Sequence, residues 1–487
     1  MNTDPKSIPR LTALASIVAV LLSPVTLAEE SKLDPDAAAE YLSHHIVDPN
    51  PIHTPSERKE EDSGGALSIW KNDEGSFFTG TLKAITGYFG QNNSWYGRSE
   101  ENLGGRSSGW WEWVVHPGLE TKFVFNGGSE FYGRLSGVGA TSSGLDAGGS
   151  NLDSDNTGSD MRVEDAYIGW RSGSLFADID ENFLDISVGR QSYAAGTGFL
   201  FYSQSSNGGD RGAYWIGERH AADFSALVRF TVGGFQGDLI YFEADDSSDA
   251  RNEVSGITLD YNFKRGGSIG GGYYNLSADD ALRDGMDVYD IRFVFKPFEA
   301  FSDVEYMNSF TIEGEYVYEE NSNLLEANGW YLSAGYSWDN AAWTPSLSYR
   351  YAAFEGDDPN TEIVEDFDPL YYGFNDWGTW YQGEILGEYV LANSNLNSHM
   401  VRLNLAPTDT LMLNLLYFNF MVDEPQSFGV TNDNFADEFN LAIDWLTNDN
   451  LSFSAVFAYT NPNEGAKQYT GGDDGWFYTM LYAQFEY

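Results

Sequence analysis

Arginine recurs singly in stretches of alternating polarity, and its neighbours fix which way each one points. Arg134 shares a phase with Tyr132 and Ser136 against Gly133, Leu135 and Gly137. Arg229 opposes Val228 and Phe230, Arg292 opposes Ile291 and Phe293, and Arg350 opposes Tyr349 and Tyr351. Arg402 opposes Val401, Leu403 and Leu405. An extended strand sends alternate side chains to opposite faces, so each guanidinium looks away from an apolar row. Asp238, Asp260, Glu313, Glu315 and Asp444 fall on the same polar phase of their own windows. Two uses of this set stay open. The charges can close on one another as salt bridges that stiffen a wall. Alternatively, guanidinium forks can meet solute carboxylates or sugar hydroxyls bidentately in a constriction.

Catalytic chemistry finds less support. The chain has no cysteine, which removes thiolate nucleophiles, thiolate metal sites and disulfides. Its 6 histidines are scattered, with no His-Glu-x-x-His and no P-loop among the motifs. His44-His45 is a lone pair in a polar stretch. Paired carboxylates are abundant in so acidic a chain and indicate nothing without geometry. With 26 Lys+Arg against 74 Asp+Glu, the net charge of −48 would repel phosphates and argues against nucleic-acid binding.

The elements that must position these residues are strands of about ten residues. Aromatics make up 16% of the chain and Gly numbers 52, while mean hydropathy is −0.38. Greasy and polar residues are therefore interleaved, as in a wall with one apolar and one wet face. Alternating windows occur at 78–90, 110–125, 130–139, 161–171, 183–191, 223–231, 235–244, 254–263, 268–276 and 287–296. They continue at 309–319, 329–338, 343–353, 380–390, 399–406, 411–421, 437–446, 451–460 and 476–487. In 254–263, Ile257, Leu259, Tyr261 and Phe263 share one face and Thr258, Asp260 and Asn262 the other. Such a pattern predicts an all-β, transmembrane antiparallel barrel.

Connection lengths give the topology. Tight connections fall at 126–129, 232–235, 264–267, 339–342, 407–410 and 447–450, and long ones at 91–109, 140–160, 192–222, 422–436 and 461–475. Barrels of this kind place short turns in the periplasm and long loops outside. Counts from the two ends clash by one strand between 354 and 398, and an odd strand number breaks the even rule for single-chain bacterial barrels. The simplest repair assigns 380–390 to one long external loop and leaves 18 strands; a hidden extra strand is the alternative.

The N-terminus supplies the address. Lys6 and Arg10 precede an apolar run from Leu11 to Leu22, and Thr26-Leu27-Ala28 fits a cleavage site, so 1–28 reads as a secretory signal peptide. That run is too short to span a bilayer as a helix, and an exported chain can then enter a membrane only as a closed barrel. Residues 29–76 read as a polar periplasmic extension and 77–487 as the barrel. The last window places Phe477, Leu481, Ala483, Phe485 and Tyr487 on one face, the expected handle for the barrel-assembly machinery.

Several segments resemble the alginate-export family of outer-membrane porins. They are Tyr349-Arg350-Tyr351 running into Gly356-Asp357-Asp358-Pro359-Asn360-Thr361, then Phe367-Asp368-Pro369-Leu370 and Trp380-Tyr381-Gln382-Gly383-Glu384. Gly475-Trp476, Met480-Leu481-Tyr482-Ala483 and the earlier Val188-Gly189-Arg190-Gln191 add to it. The resemblance implies an 18-stranded barrel, passive passage of a polyuronate, and arginines lining an electropositive pore, with Arg190 the position that carries over most directly. Two departures stand against the polyuronate. The family's plug loop before the penultimate strand is here the tight turn 447–450, and Glu164 stands where a pore-lining arginine is expected. Strict alternation from Ile186 and Val188 also puts Arg190 on the apolar side unless it ends its strand or follows a bulge.

The remaining expectations concern the mouth. Trp110, Trp111, Trp113, Tyr371, Tyr372, Trp377 and Trp380 lie near loop–strand borders and read as interfacial girdle residues. Trp377, Trp380 and Tyr381 are also candidates for a platform that stacks sugar rings. The 354–398 loop is acidic with no Lys or Arg, and Asp357, Asp358 and Asn360 are candidate oxygen ligands for a structural Ca²⁺; no other cofactor is expected. The functional expectation is an outer-membrane channel for hydrophilic, carbohydrate- or uronate-type solutes, in contact with outer-membrane lipid and lipopolysaccharide. A barrel-borne enzyme and a soluble secreted carbohydrate-binding β-protein are the alternatives.

Overall fold

The structure is a computed structural model that describes residues 67–103, 105–147, 152, 159–176, 178–205, 212–246, 251–301, 309–338, 340–373, 380 and 382–487. The 1–28 leader, His44-His45, Trp377 and Tyr381 lie outside the described residues.

Strands dominate. The first six are β1 (Leu67–Lys71), β2 (Phe77–Asn92), β3 (Ser107–Val124), β4 (Glu130–Leu145), β5 (Ser159–Arg171) and β6 (Leu184–Arg190). Then come β7 (Phe224–Val232), β8 (Phe235–Glu243), β9 (Asn252–Asn262), β10 (Gly267–Ala278), β11 (Asp287–Phe295), β12 (Phe310–Asn321) and β13 (Leu325–Ser337). The last six are β14 (Ser346–Phe354), β15 (Leu396–Thr408), β16 (Leu411–Val422), β17 (Asn434–Asn448), β18 (Leu451–Pro462) and β19 (Trp476–Glu486). From β2 to β19 each strand pairs antiparallel with the next, and β19 returns to β2 through Phe477↔Asn92 to Glu486↔Lys83. The ring is a closed barrel of 18 strands, so no sheet edge is left inside it. The stretch 380–390 is not a strand; it contains a one-turn helix, Leu386–Tyr389, inside the long loop.

Alternation decides the two faces. On β3 the exposed Trp111 and Leu119 alternate with the buried Glu112, His116 and Glu120. The same phase puts Ile257 and Leu259, Ile291, Leu332, Leu347, Val401, Leu415 and Leu481 on the outside. This apolar exterior, with Trp445, Tyr459 and Phe477 among its exposed rings, is that of a transmembrane barrel. Among the described residues no helix is long and apolar enough to cross a membrane.

The two ends differ. At the turn end, β7 and β8 are joined by Gly233 and Gly234, with Gly233 at a φ of +60° that glycine adopts without strain. Three connections there are longer than the tight turns, 172–183, 296–309 and 338–345. At the other end β12 and β13 meet across only 322–324. Loop length therefore marks the two ends in most places but not all. β1, within the stretch expected to be a polar lead-in, pairs with β2 through Leu67↔Gly80 to Lys71↔Phe77, just past the point where β19 stops.

Two loop-end connections turn inward and pack against the inner face of the wall. They are the first inward loop, 191–223 between β6 and β7, and the second, 355–395 between β14 and β15. Phe199, Phe201, Phe367, Trp380, Ile385 and Leu386 of these loops are fully or almost fully buried. They pack on lumen-facing Phe354, Tyr331, Phe242 and Tyr274 of the wall. The buried core thus sits inside the barrel.

Candidate functional site

The lumen wall is lined with charge, and most of it is matched. Arg229 on β7 forms a two-pronged pair with Asp238 on β8, at 2.8 and 3.0 Å, because the register sets the two residues opposite each other. Arg292 on β11 holds Asp260 on β9 at 3.0 and 2.7 Å and Asp290 at 2.7 Å. Glu315 is buried opposite Arg292 on β12, and its Oε2 makes no hydrogen bond. Glu313 lies half-buried on the same face.

Arg134 on β4 is part of a longer chain of contacts. It meets Glu120 at 2.7 Å and Asp165 at 2.8 Å. Ser136 donates to Asp165 at 2.5 Å and lies 2.8 Å from His116 Nε2. His116 Nδ1 in turn lies 3.5 Å from Glu218 of the first inward loop, which Lys83 on β2 meets at 2.9 Å. Burial would raise the Glu218 carboxyl, but Lys83 and His116 outweigh it and hold it well below the usual range. Lys83, His116, Glu120, Asp165 and Glu218 were not singled out from the sequence. His116 stands between Val115 and Pro117 on the polar phase, and that phase was the available signal.

Arg350 and Arg402 face inward as alternation predicts. The Arg350 guanidinium stands 4.5 Å over the Trp380 ring, and Arg402 donates to Asn414 Oδ1 on β16 at 3.1 and 2.9 Å. Asp444 accepts from Ser454 Oγ at 2.6 Å. Arg190 is the last residue of β6, opposite a register shift in β5, which resolves its phase. It pairs with Asp223 at 2.9 Å and with Asp245, which also holds Arg219. This places Arg190 at the root of the first inward loop.

Three mouth assignments change. Trp380 is 2% exposed, so it offers no open platform. It donates from Nε1 to Thr197 O at 2.9 Å, joining the two inward loops, and packs edge-on against Phe199 and Tyr331. Tyr371 and Trp110 are buried too; Trp110 stacks on Phe89 at 5.1 Å and lies 4.6 Å from Trp215. Trp111 stays exposed beside Trp113, as a girdle residue should. At the Ca²⁺ candidate, Asp358 Oδ1 accepts from Asn360 N and Nδ2, and Asp357 accepts from Glu365 N. Those oxygens serve the loop's own turn, and among the described residues no group of three or more acids or histidines converges as a metal site.

The inward loops are fastened in two ways. They bond to each other through Tyr371 N to Leu200 O, Tyr202 N to Tyr371 O and Gly373 N to Gly198 O, at 2.9 to 3.1 Å. They also bond to wall carboxylates. Glu112 accepts from Tyr214 N, Trp215 N and Ile216 N at 3.0 to 3.2 Å. Glu164 accepts from His220 N and Ala221 N at 2.7 and 2.8 Å and pairs with Arg219 at 3.3 Å. Glu438 on β17 accepts from Ile385 N and Leu386 N at 3.0 and 2.9 Å, and Glu319 from Asp368 N at 2.9 Å. Gly383 lets the backbone come this close: a Cβ there would stand 2.5 Å from Glu438 Oε1, at a φ of +79°.

No family model matches the chain, and no curated protein does. The resemblance to alginate-export porins therefore finds no family-level support. Solved structures do match. OccAB2 of Acinetobacter baumannii aligns over 84% of this chain and 98% of its own, with a TM-score of 0.54 and 10% identity. A BenF-like porin from Pseudomonas fluorescens Pf-5 gives 84%, 98%, 0.52 and 12%. The outer membrane protein OprD from Pseudomonas aeruginosa gives 88%, 96%, 0.52 and 14%. At such identities the likeness is one of fold: the barrel of this chain has the architecture of porin barrels.

Proposed function

We propose that the chain is an outer-membrane channel for passive diffusion of a small hydrophilic solute. The observation that carries this reading is a closed barrel whose lumen is lined by charged and amide side chains and narrowed by two inward loops. Apolar side chains line the wall where the loops pack, and the charged groups that share its inner face are not needed for filling, since buried ion pairs add little stability over well-packed hydrophobes. The porin architecture of the solved neighbours agrees with it. The exterior faces membrane lipid, including lipopolysaccharide on the loop side, and β19 with its aromatic end is the segment offered to the barrel-assembly machinery.

The finer assignment is a carbohydrate or uronate solute. Its support is the inward set of Arg134, Arg229, Arg292, Arg350 and Arg402: planar forks suit carboxylates and vicinal hydroxyls, and a solute would compete there with the wall groups that Arg134, Arg229, Arg292 and Arg402 already hold. The crowded lumen favours a mono- or oligosaccharide over a long polymer. Purified protein in planar bilayers tests both levels. Stepwise ion conductance is expected, together with block by an oligouronate that weakens in Arg350→Ala. Absence of conductance overturns the channel, and conductance indifferent to oligouronates overturns the solute class alone.

A further inference from the structure

The second inward loop meets the wall through a segment that carries its own negative charge. Glu384 precedes the one-turn helix Leu386–Tyr389 and Glu388 lies within it. Glu438 holds that turn by the N–H groups of Ile385 and Leu386. Gly387 N donates to Gln382 O at 2.9 Å, and Ser398 Oγ fixes Gln382 Oε1 at 3.0 Å. Tyr389 packs 5.7 Å from Trp215 of the first loop and 5.7 Å from Trp476 of the wall. This short segment is therefore where both inward loops and the β17–β19 wall come together.

What faces the two glutamates is acid and phenol. Glu384, whose N–H donates to Asn440 Oδ1 of β17 at 3.4 Å, lies within electrostatic reach of Glu438 and Asp444 of β17, of Glu388, and of Tyr389 and Tyr478. Glu388 looks onto Glu112 of β3, onto Tyr214 and Tyr372 of the two loops, and onto Tyr389 and Tyr478. No Lys or Arg is among these groups. The Tyr389 and Tyr478 hydroxyls are buried without a hydrogen-bond partner. Two carboxylates beside Glu112 and Glu438 can be accommodated when they carry protons, and repel when they do not.

We propose that 382–391 is a proton-set latch, seated against Glu438 while Glu384 and Glu388 are protonated and released from the wall as they ionise. The latch rests on the channel reading, in which release widens the lumen. Burial first, and then Glu438, Glu388 and Asp444, push the Glu384 carboxyl up to about 8. Burial and Glu112 push Glu388 up to about 8. A released loop returns both to water and to an ordinary value of 4.5. Between those values the seated state binds more protons than the released one, so seating weakens as pH rises through that window and changes little above it.

The absence of native cysteine allows a direct test on the whole protein. Leu386→Cys buries a thiol under the latch, and Gln426→Cys on an exposed loop supplies the reference. Labelling by a water-soluble maleimide, taken as the ratio of the two rates, is expected to rise at least tenfold from pH 5.5 to 8.5. Adding Glu384→Gln and Glu388→Gln to Leu386→Cys should remove most of that rise. A flat ratio in the parent overturns the latch, and so does a double Gln variant that tracks the parent. Conductance is recorded in parallel, with larger steps expected at high pH. Protein that never conducts overturns the channel while the labelling ratio still judges the latch.

Discussion

Acidic side chains on the lumen side of β8, β9 and β11 end on guanidinium groups, whereas Glu112 on β3 and Glu438 on β17 end on loop backbone. Asp238 meets Arg229, and Asp260 and Asp290 meet Arg292, so charge is cancelled within the wall itself. From β16 to β19 the strands contain neither Lys nor Arg, and Glu438 spends its charge on two N–H groups of the second inward loop. Glu112 does the same for the first. The contrast teaches that one kind of residue serves two ends. Paired with arginine across neighbouring strands, an acid ties wall to wall; facing peptide N–H groups, it ties a loop to the wall and positions the constriction.

The difference can be broken first at its most buried charge. Arg292→Met leaves Asp260, Asp290 and Glu315 facing one another without a cation. Breaking a buried pair by removing one partner costs about 3–5 kcal/mol. The barrel should lose its heat-resistant, compact band on a gel at a clearly lower temperature. A variant that melts with the parent would show that the β9–β12 wall does not depend on this guanidinium.

A different outcome is expected on the other wall. Glu438→Gln keeps the shape, but its single amide oxygen can accept from only one of Ile385 N and Leu386 N, so one of two charge-assisted bonds, each worth about 1.5–3 kcal/mol, is lost and the other weakened. The ring of strands does not use them, so barrel melting should move little. Conductance should rise, and proteolytic cutting within 382–391 should quicken. Equal loss of barrel stability in this variant and in Arg292→Met would erase the distinction between the walls.

The smallest effect belongs to Arg229→Gln. Its pair with Asp238 is partly open to water, with 29% of the arginine side chain exposed, and such pairs contribute about 1 kcal/mol or less. Stability should be nearly unchanged and the remaining effect should fade in high salt. A shift in cation-over-anion preference, read as a reversal potential across a salt gradient, is the expected signature of a lumen charge left without its partner.

Much of the barrel was legible residue by residue. The period-two windows matched β2 to β19, and the parity argument correctly demoted 380–390, where a one-turn helix stands in place of a strand. Every arginine placed on the polar phase of a window faces inward, since the opposite choice would put charge against lipid at roughly 2–4 kcal/mol. β1 escaped notice because five residues carry too little period, and its pairing depends on where β19 happens to stop. Trp380 looked like a mouth residue because sequence position says where a loop leaves the wall, and nothing about the direction in which it folds.

Strand phase is a local property: it follows from the alternation of neighbouring side chains and from the cost of burying charge in lipid, so the sequence alone determined the barrel, its strand number and the inward arginines. Partners are not local. Trp380 meets Thr197 across 183 residues, Glu112 holds the backbone at Trp215 across 103, and Glu438 holds Leu386 across 52. Those contacts exist only once the ring has closed and the two loops have entered it, because only then are the loop–wall contacts buried and an unpaired N–H or carboxylate there costly. The tertiary structure therefore decided how the lumen is narrowed and which acids hold the loops that narrow it.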